Sequence, residues 1–190
     1  MPIHLHPLTL LIPTALLLAS CGAGPSAPSA VGSSAATGTQ GSAPRDAGSQ
    51  TMSAEEAQIL REINEARAVP RSCGTQRFAA AAPVSWNGYL AAAARAHAGD
   101  MAARGYFDHN TPEGVKPAQR AEAAGYTGWQ MVAENIAAGY TLGNVTQGWL
   151  DSPSHCKTLM DPSLKEVGVG YVYKPGSRYG TYWVQDYGTR

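Results

Sequence analysis

The sequence predicts an α+β fold in which helices come first and an antiparallel strand pair comes last. Apolar residues recur at helical spacing between residues 53 and 104. From Val167 onward the apolar period changes to two, and a turn region at 174–177 separates this strand from a second one, TYWVQDYG at 181–188. We therefore expect helices packed against a small antiparallel sheet.

Local signals place the first two helices. Ser53 and Glu56 fit a capping box, and the helix that follows is predicted to run to about Ala68, because Pro70 cannot continue it. A loop that holds a cysteine comes next. The second helix is predicted at 88–104, and the glycine after it is typical of a helix C-terminus.

The middle of the chain is predicted to hold short helices, with the AENIAAG segment read from its local pattern as mostly irregular chain. Prolines mark most of the helix ends in this region. The predicted short helices are one from Pro117 to before Gly125, one at about 142–150 that is stopped by Ser152-Pro153, and a helical turn at 155–160.

The first 50 residues are predicted to lie outside the folded domain, which covers 51–190. Residues 1–20 contain an apolar run that is too short to span a bilayer as a mature helix and is placed as a signal peptide. The Leu18-Ala19-Ser20-Cys21 stretch resembles a bacterial lipobox, in which Cys21 would carry a lipid. No Lys or Arg precedes it, and an ordinary secretory signal is the alternative. Residues 21–50 are then a flexible linker, since 24 of the 29 residues after Cys21 are Gly, Ala, Ser, Pro or Thr.

These features predict an extracytoplasmic protein of the cell envelope, held on the bacterial membrane by its lipid. Gly22 does not match the Asp that retains enteric lipoproteins in the inner membrane, so the outer membrane is expected in a Gram-negative cell. The 14 Lys and Arg residues equal the 14 Asp and Glu residues, so no overall field draws the chain to nucleic acid. We expect no nucleic-acid partner, and we expect a monomer.

Cysteine parity predicts a disulfide. If Cys21 is acylated, Cys73 and Cys156 remain as an even pair in an oxidising compartment. A catalytic pair of Cys156 with the adjacent His155 is disfavoured, because neighbouring side chains on a helix or strand point apart.

Four sequence blocks then occur in a familiar order: YFDH at 106–109, AENI at 133–136, SPSH at 152–155 followed by GVG at 168–170, and YWVQDY at 182–187. This order and spacing resembles the bacterial branch of the CAP superfamily, also called SCP-like. Its usual blocks are close to YFSH, GENI, W-x-x-SPGH with GVG, and YWTQxF. The resemblance covers about Met52 to Gly188, nearly all of the folded part.

The resemblance implies an α–β–α sandwich whose three-stranded antiparallel sheet takes its third strand from about Met131 to Ile136. It also implies a cleft with two histidines and two acids, which in several members holds a divalent cation such as zinc. By motif, His109 and His155 fill the histidine positions and Glu134 the first acid position. Asp151 is the nearest acid to the second position, although it is offset by one residue from the family pattern.

Two imidazoles and a carboxylate suit zinc with an open position, so His109, His155 and Glu134 are the predicted ligands of Zn²⁺ or another divalent cation. Without metal, a carboxylate beside an imidazole raises the histidine pKa and orients its tautomer, which serves either base catalysis or cleft structure. His97 lies on an apolar helix face and is predicted to be a core histidine, with Asp100 a candidate partner.

Three functions remain open at this point. The first is a non-enzymatic binding module whose cleft recognises a small molecule, a lipid or an envelope protein. The second is a metal-assisted hydrolase that acts on envelope peptide or glycan. The third is a structural envelope protein. Of these, the binding module is favoured, because the tether carries no adjacent catalytic domain.

Overall fold

The structure, a computed structural model, describes residues 51–190. The predicted signal peptide at 1–20, the acylation of Cys21 and the linker at 21–50 lie outside the described residues. Between residues 51 and 190, no helix is both long enough and apolar enough to cross a bilayer.

Five helices and six strands make up the described part. The helices are α1 (Ala54–Arg67), α2 (Gly88–Arg104), α3 (Pro117–Ala123), α4 (Val145–Asp151) and α5 (Pro153–Met160). The strands are β1 (Arg71–Cys73), β2 (Gln76–Phe78), β3 (Ser85–Trp86), β4 (Met131–Ala138), β5 (Glu166–Tyr173) and β6 (Thr181–Thr189).

The two long helices begin and end where the local signals predict. Ser53 and Glu56 form both hydrogen bonds of a capping box at the start of α1. At the start of α2 the Asn87 side chain accepts from two backbone N–H groups, and Gly105 ends the helix in the left-handed conformation with φ 74°. Both helix predictions are confirmed.

The main sheet has four strands in the order β3-β5-β6-β4. The β5–β6 hairpin is antiparallel as predicted, and β4 pairs antiparallel with β6. The third strand implied by the resemblance is therefore confirmed, whereas the reading of AENIAAG as irregular chain is wrong. Its small and polar residues carry little strand propensity, and pairing with β6 decides the conformation.

Local pattern reasoning missed three further features. The loop that holds Cys73 contains a hairpin of β1 and β2, and Ser85–Trp86 adds to β5 in parallel as β3. Strands of two or three residues are too short to show a period. Helix α4 begins at Val145 rather than 142, because residues 141–144 form a turn in which the Asn144 side chain accepts from the Thr141 N–H.

The sheet lies between two helical layers, which confirms the predicted α–β–α sandwich. On one face α2 packs against β5 and β6, and Ile136 of β4 belongs to the same buried cluster. On the other face the helices α1, α4 and α5 enclose a core that includes Ile63, Trp149 and Leu159, packed on Val167 and Val169.

A disulfide and a buried arginine hold α5 in place in this second helical layer. The predicted disulfide between Cys73 and Cys156 is present, with a Cα–Cα distance of 5.4 Å, and ties α5 to the β1–β2 hairpin. Arg67, fully buried at the end of α1, donates hydrogen bonds to four backbone carbonyls, three of which belong to the chain from Leu159 to Leu164. Since α5 carries His155, both position that side chain.

Candidate functional site

The loop that carries His109 is anchored by a buried histidine. His97 is 1% exposed, and its Nε2–H donates to the backbone carbonyl of Asp108 over 2.9 Å. Burial lowers the pKa of His97 below its ordinary value, so the ring is neutral and serves as a hydrogen-bond donor. The predicted core role holds, but the partner is a carbonyl, while Asp100 accepts from the Tyr106 hydroxyl over 2.6 Å.

Arg120 of α3 holds the same loop from the other side. Its Nη1–H groups donate to the carbonyls of His109 and Val115, each over 2.9 Å. Its Nη2–H donates to Oε2 of Glu134 over 2.5 Å, and both side chains of this ion pair are almost completely buried. One guanidinium therefore links the His109 loop to strand β4.

Glu134 and His109 are in direct contact, as the resemblance implies for the first acid and the first histidine. The Nδ1–H of His109 donates to Oε1 of Glu134 over 2.7 Å. This hydrogen bond raises the pKa of His109 above its ordinary value, although partial burial opposes the effect. His109 therefore presents Nε2, which has no protein partner among residues 51–190.

Asp186 stands beside this pair, and reading the sequence did not single it out. It lies directly opposite Glu134 in the β4–β6 register and is fully buried. Neither of its carboxyl oxygens receives a hydrogen bond from a donor within residues 51–190. Burial, followed by the negative charge of Glu134, raises the pKa of Asp186 well above its usual range. Only the strand register could have identified it.

His155 lies near His109 but in a different environment. Its backbone carbonyl accepts from the Asn135 side chain of β4 over 3.1 Å. Burial, and after it the charge of His109, lowers the pKa of His155 below its ordinary value. The pKa values of the two histidines are therefore shifted in opposite directions, and His155 is the one that favours the neutral imidazole.

Asp151, the nearest match to the second acid, is placed on the exposed surface of α4. Its carboxylate accepts from the Gln147 side chain one turn earlier in the same helix, over 2.6 Å. It is not among the residues that line the cleft beside His155.

That cleft has a volume of about 240 Å³ and mostly apolar walls. Aromatic side chains form much of the lining, and two of them, Phe107 and Tyr140, are about two-fifths exposed at its rim. The polar groups of the lining include those of Ser152 and His155. The cleft suits a group with an apolar body and one polar atom that can hydrogen-bond to an imidazole. The aromatic residues are Phe107, Tyr140, Trp149 and Tyr179.

The three predicted ligands do not fit a zinc ion held by three protein side chains. Both oxygens of Glu134 are occupied, one by His109 and one by Arg120. Within residues 51–190, no three His, Cys, Asp or Glu side chains converge with the geometry of a metal site. The described contacts of these residues are the hydrogen bonds of the Glu134 carboxylate to His109 and Arg120.

We expect Glu134→Gln to lower the pKa of His109, because the amide keeps the shape of the side chain but removes the charge that favours the imidazolium. The His109 pKa can be followed by NMR of the ring Cε1–H between pH 4 and 9 (roughly the range that spans an ordinary histidine). Asp186→Asn is the matched control and should leave the His109 pKa unchanged, since the groups that shift this pKa are Glu134, Asp108 and Arg120. An unchanged pKa in Glu134→Gln would contradict the assigned contact.

The same contact sets a pH dependence of stability. Because the folded pKa of His109 is raised, the pair stabilises the fold fully below the ordinary histidine pKa of about 6.5. That contribution is lost as the pH rises through the raised folded value. His97 and His155 act in the opposite sense, since protonating them as the pH falls below about 6.5 costs stability.

The comparisons with known proteins concern the family and the fold. The profile of the family described as CAP, the cysteine-rich secretory protein family, matches residues 60–187. Two curated proteins of Bacillus subtilis (strain 168) are similar: the uncharacterized protein YkwD, 32% identical over 106 residues, and the uncharacterized membrane protein YlbC, 33% identical over 90 residues. These alignments cover 55% and 47% of this chain, but only 39% and 26% of the relatives.

Solved structures show the same fold. An extracellular protein containing a SCP domain from Bacillus anthracis is 26% identical with a TM-score of 0.58, over 72% of this chain and 40% of that chain. An outer surface protein from Borrelia burgdorferi is 21% identical with a TM-score of 0.59, over 75% of this chain and 98% of that chain. At 21% identity the second likeness concerns the fold alone.

Proposed function

The chain belongs to the cysteine-rich secretory protein (CAP) family, and on that premise we propose that it is an extracytoplasmic binding module rather than an enzyme. Its disulfide supports an oxidising location, because buried cysteine pairs of this kind persist outside the cytoplasm. The extracellular description of the similar Bacillus anthracis protein supports the same location. Attachment to the membrane through a lipid on Cys21 is part of the proposal and rests on the sequence motif.

The cleft beside His155 is the observation that carries the proposal. Its walls are apolar and aromatic, and it is large enough for a group of about ten non-hydrogen atoms, which is the scale of one amino-acid side chain or one ring system. A neutral imidazole at its edge can accept or donate one hydrogen bond without a charge to desolvate. These are the properties of a recognition site for a small apolar group.

The hydrolase alternative has one observation in its favour, the His109–Glu134 contact, which resembles a general base with its orienting carboxylate. No serine nucleophile is placed beside this pair, however, so hydrolysis would need an activated water. The hydroxyls of Ser152 and Ser154 lie 3.3 Å from each other, and no hydrogen bond joins either to an imidazole within residues 51–190. The site geometry therefore supports binding better than covalent or metal-assisted hydrolysis.

The proposal is tested with p-cresol, which has an apolar ring and one hydroxyl. We expect it to bind the ¹⁵N-labelled chain with a dissociation constant on the order of 1 mM, as a fragment of eight non-hydrogen atoms should. The amide shifts of Ile136, Ala137 and Ala138, which line the cleft, should change most.

A pair of matched variants locates the binding. Ser152 lines the cleft, whereas its neighbour Ser154 is exposed and does not. Ser152→Trp should fill the cleft and weaken p-cresol binding at least about tenfold, and Ser154→Trp should leave it unchanged. Equal binding by both variants, or shifts that map elsewhere on the domain, would refute the cleft as the binding site.

A further inference from the structure

Strand β4 is an edge strand, and its hydrogen-bonding direction can be read from its end. It pairs with β6 on one side only. Gly139 continues the register beyond Ala138, and its N–H donates to the carbonyl of Thr181 over 3.0 Å. In an antiparallel ladder such hydrogen-bonded pairs alternate with non-bonded pairs. The backbone groups of Ala137, two residues before Gly139, therefore face β6, and those of Ile136 and Ala138 face away from it.

The outward-facing groups of Ile136 and Ala138 have no partner in the part of the chain that the structure describes. No strand pairs with this side of β4, and none of the turn, loop or side-chain hydrogen bonds within residues 51–190 involves these backbone groups. Backbone N–H and C=O groups next to apolar surface cost free energy when they remain unpaired. This stretch of β4 is consequently a template for pairing with another extended chain.

The apolar cleft runs along this same edge. Side chains of consecutive strand residues point to opposite faces, and Ile136 belongs to the core on the α2 face while Ala137 belongs to the core on the α1 face. Nevertheless both residues line the cleft, together with Ala138. Residues whose side chains lie on opposite faces can line one cleft only at the edge of the strand, so we infer that the cleft lies over the unpaired backbone groups. His155 on α5 and Phe107 in the loop after α2 are also among its lining residues.

We propose that the occupant of the cleft is an extended peptide segment of a partner protein, which pairs with Ile136 and Ala138 as a fifth strand of the sheet. The inference rests on the proposed function of the cleft and names the class of ligand. A peptide strand supplies N–H and C=O groups in alternation and places one apolar side chain among the aromatic residues. A sterol or an acyl chain fills the apolar volume but leaves the backbone groups of β4 unpaired.

Alternating hexapeptides are the probe: acetyl-(Thr-X)₃-amide with X as Val, Leu, Phe or Tyr. We expect at least one to bind the ¹⁵N-labelled full chain, to slow amide exchange at Ile136 and Ala138 at least about tenfold, and to leave Ala137 unchanged because it already pairs with β6. The same peptide with its alternate amides N-methylated should bind at least about tenfold more weakly. Equal binding of the methylated peptide, or no binding of any member at about 1 mM, overturns the proposal.

Two single proline variants of the protein test the same hydrogen bonds from the side of β4. Ala138→Pro removes an outward N–H beside the cleft, and Val132→Pro removes an outward N–H at the far end of β4, away from the cleft. Proline is tolerated at such positions of edge strands. Ala138→Pro should lose the hexapeptide, and Val132→Pro should keep it. If Ala138→Pro does not fold, the comparison of methylated with unmethylated peptide still decides the question.

The outcomes separate the two claims. If p-cresol does not bind in the cleft of the unmodified chain, the proposed function itself is refuted. If p-cresol binds but N-methylation has no effect, only the strand pairing fails. The amides of Ile136 and Ala138 could also exchange slowly in the chain without added peptide. Slow exchange that does not depend on protein concentration would indicate that another segment of this chain pairs with β4, and slow exchange that increases with concentration would indicate a second copy. Either result overturns the proposal of a partner peptide.

Discussion

Replacing both disulfide cysteines, Cys73→Ala together with Cys156→Ala, is expected to lower the free energy of unfolding by about 4–5 kcal/mol. The bond joins residues 83 positions apart, so it closes a long loop and restricts the unfolded chain strongly. Both half-cystines are also buried, and the bond connects the β1–β2 hairpin to α5. This is the largest stability effect that we expect from changing one covalent feature of the domain.

Urea unfolding followed by tryptophan fluorescence measures this loss. The oxidised and reduced forms of the unmodified chain serve as the control pair, since reduction should reproduce most of the destabilisation without changing side-chain volume. A loss below about 1 kcal/mol would mean that the buried packing around α5 holds the layer without the bond. The same variant should weaken p-cresol binding, because α5 carries His155 and the cleft depends on where that helix lies.

The second large effect is expected from Gly168→Ala in β5. A Cβ atom on Gly168 would lie 1.9 Å from the backbone nitrogen of Ala91 and 2.2 Å from the carbonyl carbon of Leu90. These are backbone atoms of α2, which no rotamer change can move aside. We expect a loss of about 3 kcal/mol or more, because the whole helix must shift from the sheet.

Gly99→Ala is the matched control for this prediction. Gly99 lies within α2 itself, and a Cβ atom added there meets nothing within 4 Å. Because glycine is a poor helix former, this substitution should instead raise stability by about 0.5–1 kcal/mol. Thermal unfolding of the two variants measures both effects, and a mild effect of Gly168→Ala would mean that α2 and β5 are not packed this closely. If confirmed, the result explains the GVG block as a contact surface for α2 rather than as part of the binding site.

Much of the fold could be predicted because its signals are local. The capping box at Ser53, the asparagine and glycine that bound α2, and the change of period at β5 each act within a few residues. The AENI segment could not be predicted in the same way. Its strand forms because β6 pairs with it, and that pairing joins residues about 50 positions apart.

Some residues of the candidate site could be predicted from sequence motifs, and others could not. The motifs identified His109, Glu134 and His155, and the structure brings the first two into contact and the third close to them. Asp186 and Arg120 were not identified, because a carboxylate in a strand and an arginine in a short helix have no distinctive local pattern. Asp151 was a candidate from its position in the chain, but helix geometry directs it to the surface beside Gln147.

By itself, then, the sequence determined the family, the helices, the disulfide partners and the two histidines of the site, since periodicity, caps, cysteine parity and ordered motifs are written in neighbouring residues. Only the tertiary structure decided the strand register. The register placed the buried Asp186 beside Glu134 and turned the backbone groups of Ile136 and Ala138 towards the edge of the sheet, where no strand within residues 51–190 pairs with them. It also decided that Glu134 is held by Arg120 and His109 rather than offered to a metal. The physical reason is that pKa shifts, unpaired backbone groups and the geometry of possible metal ligands depend on which residues, far apart in the sequence, lie close together in the fold.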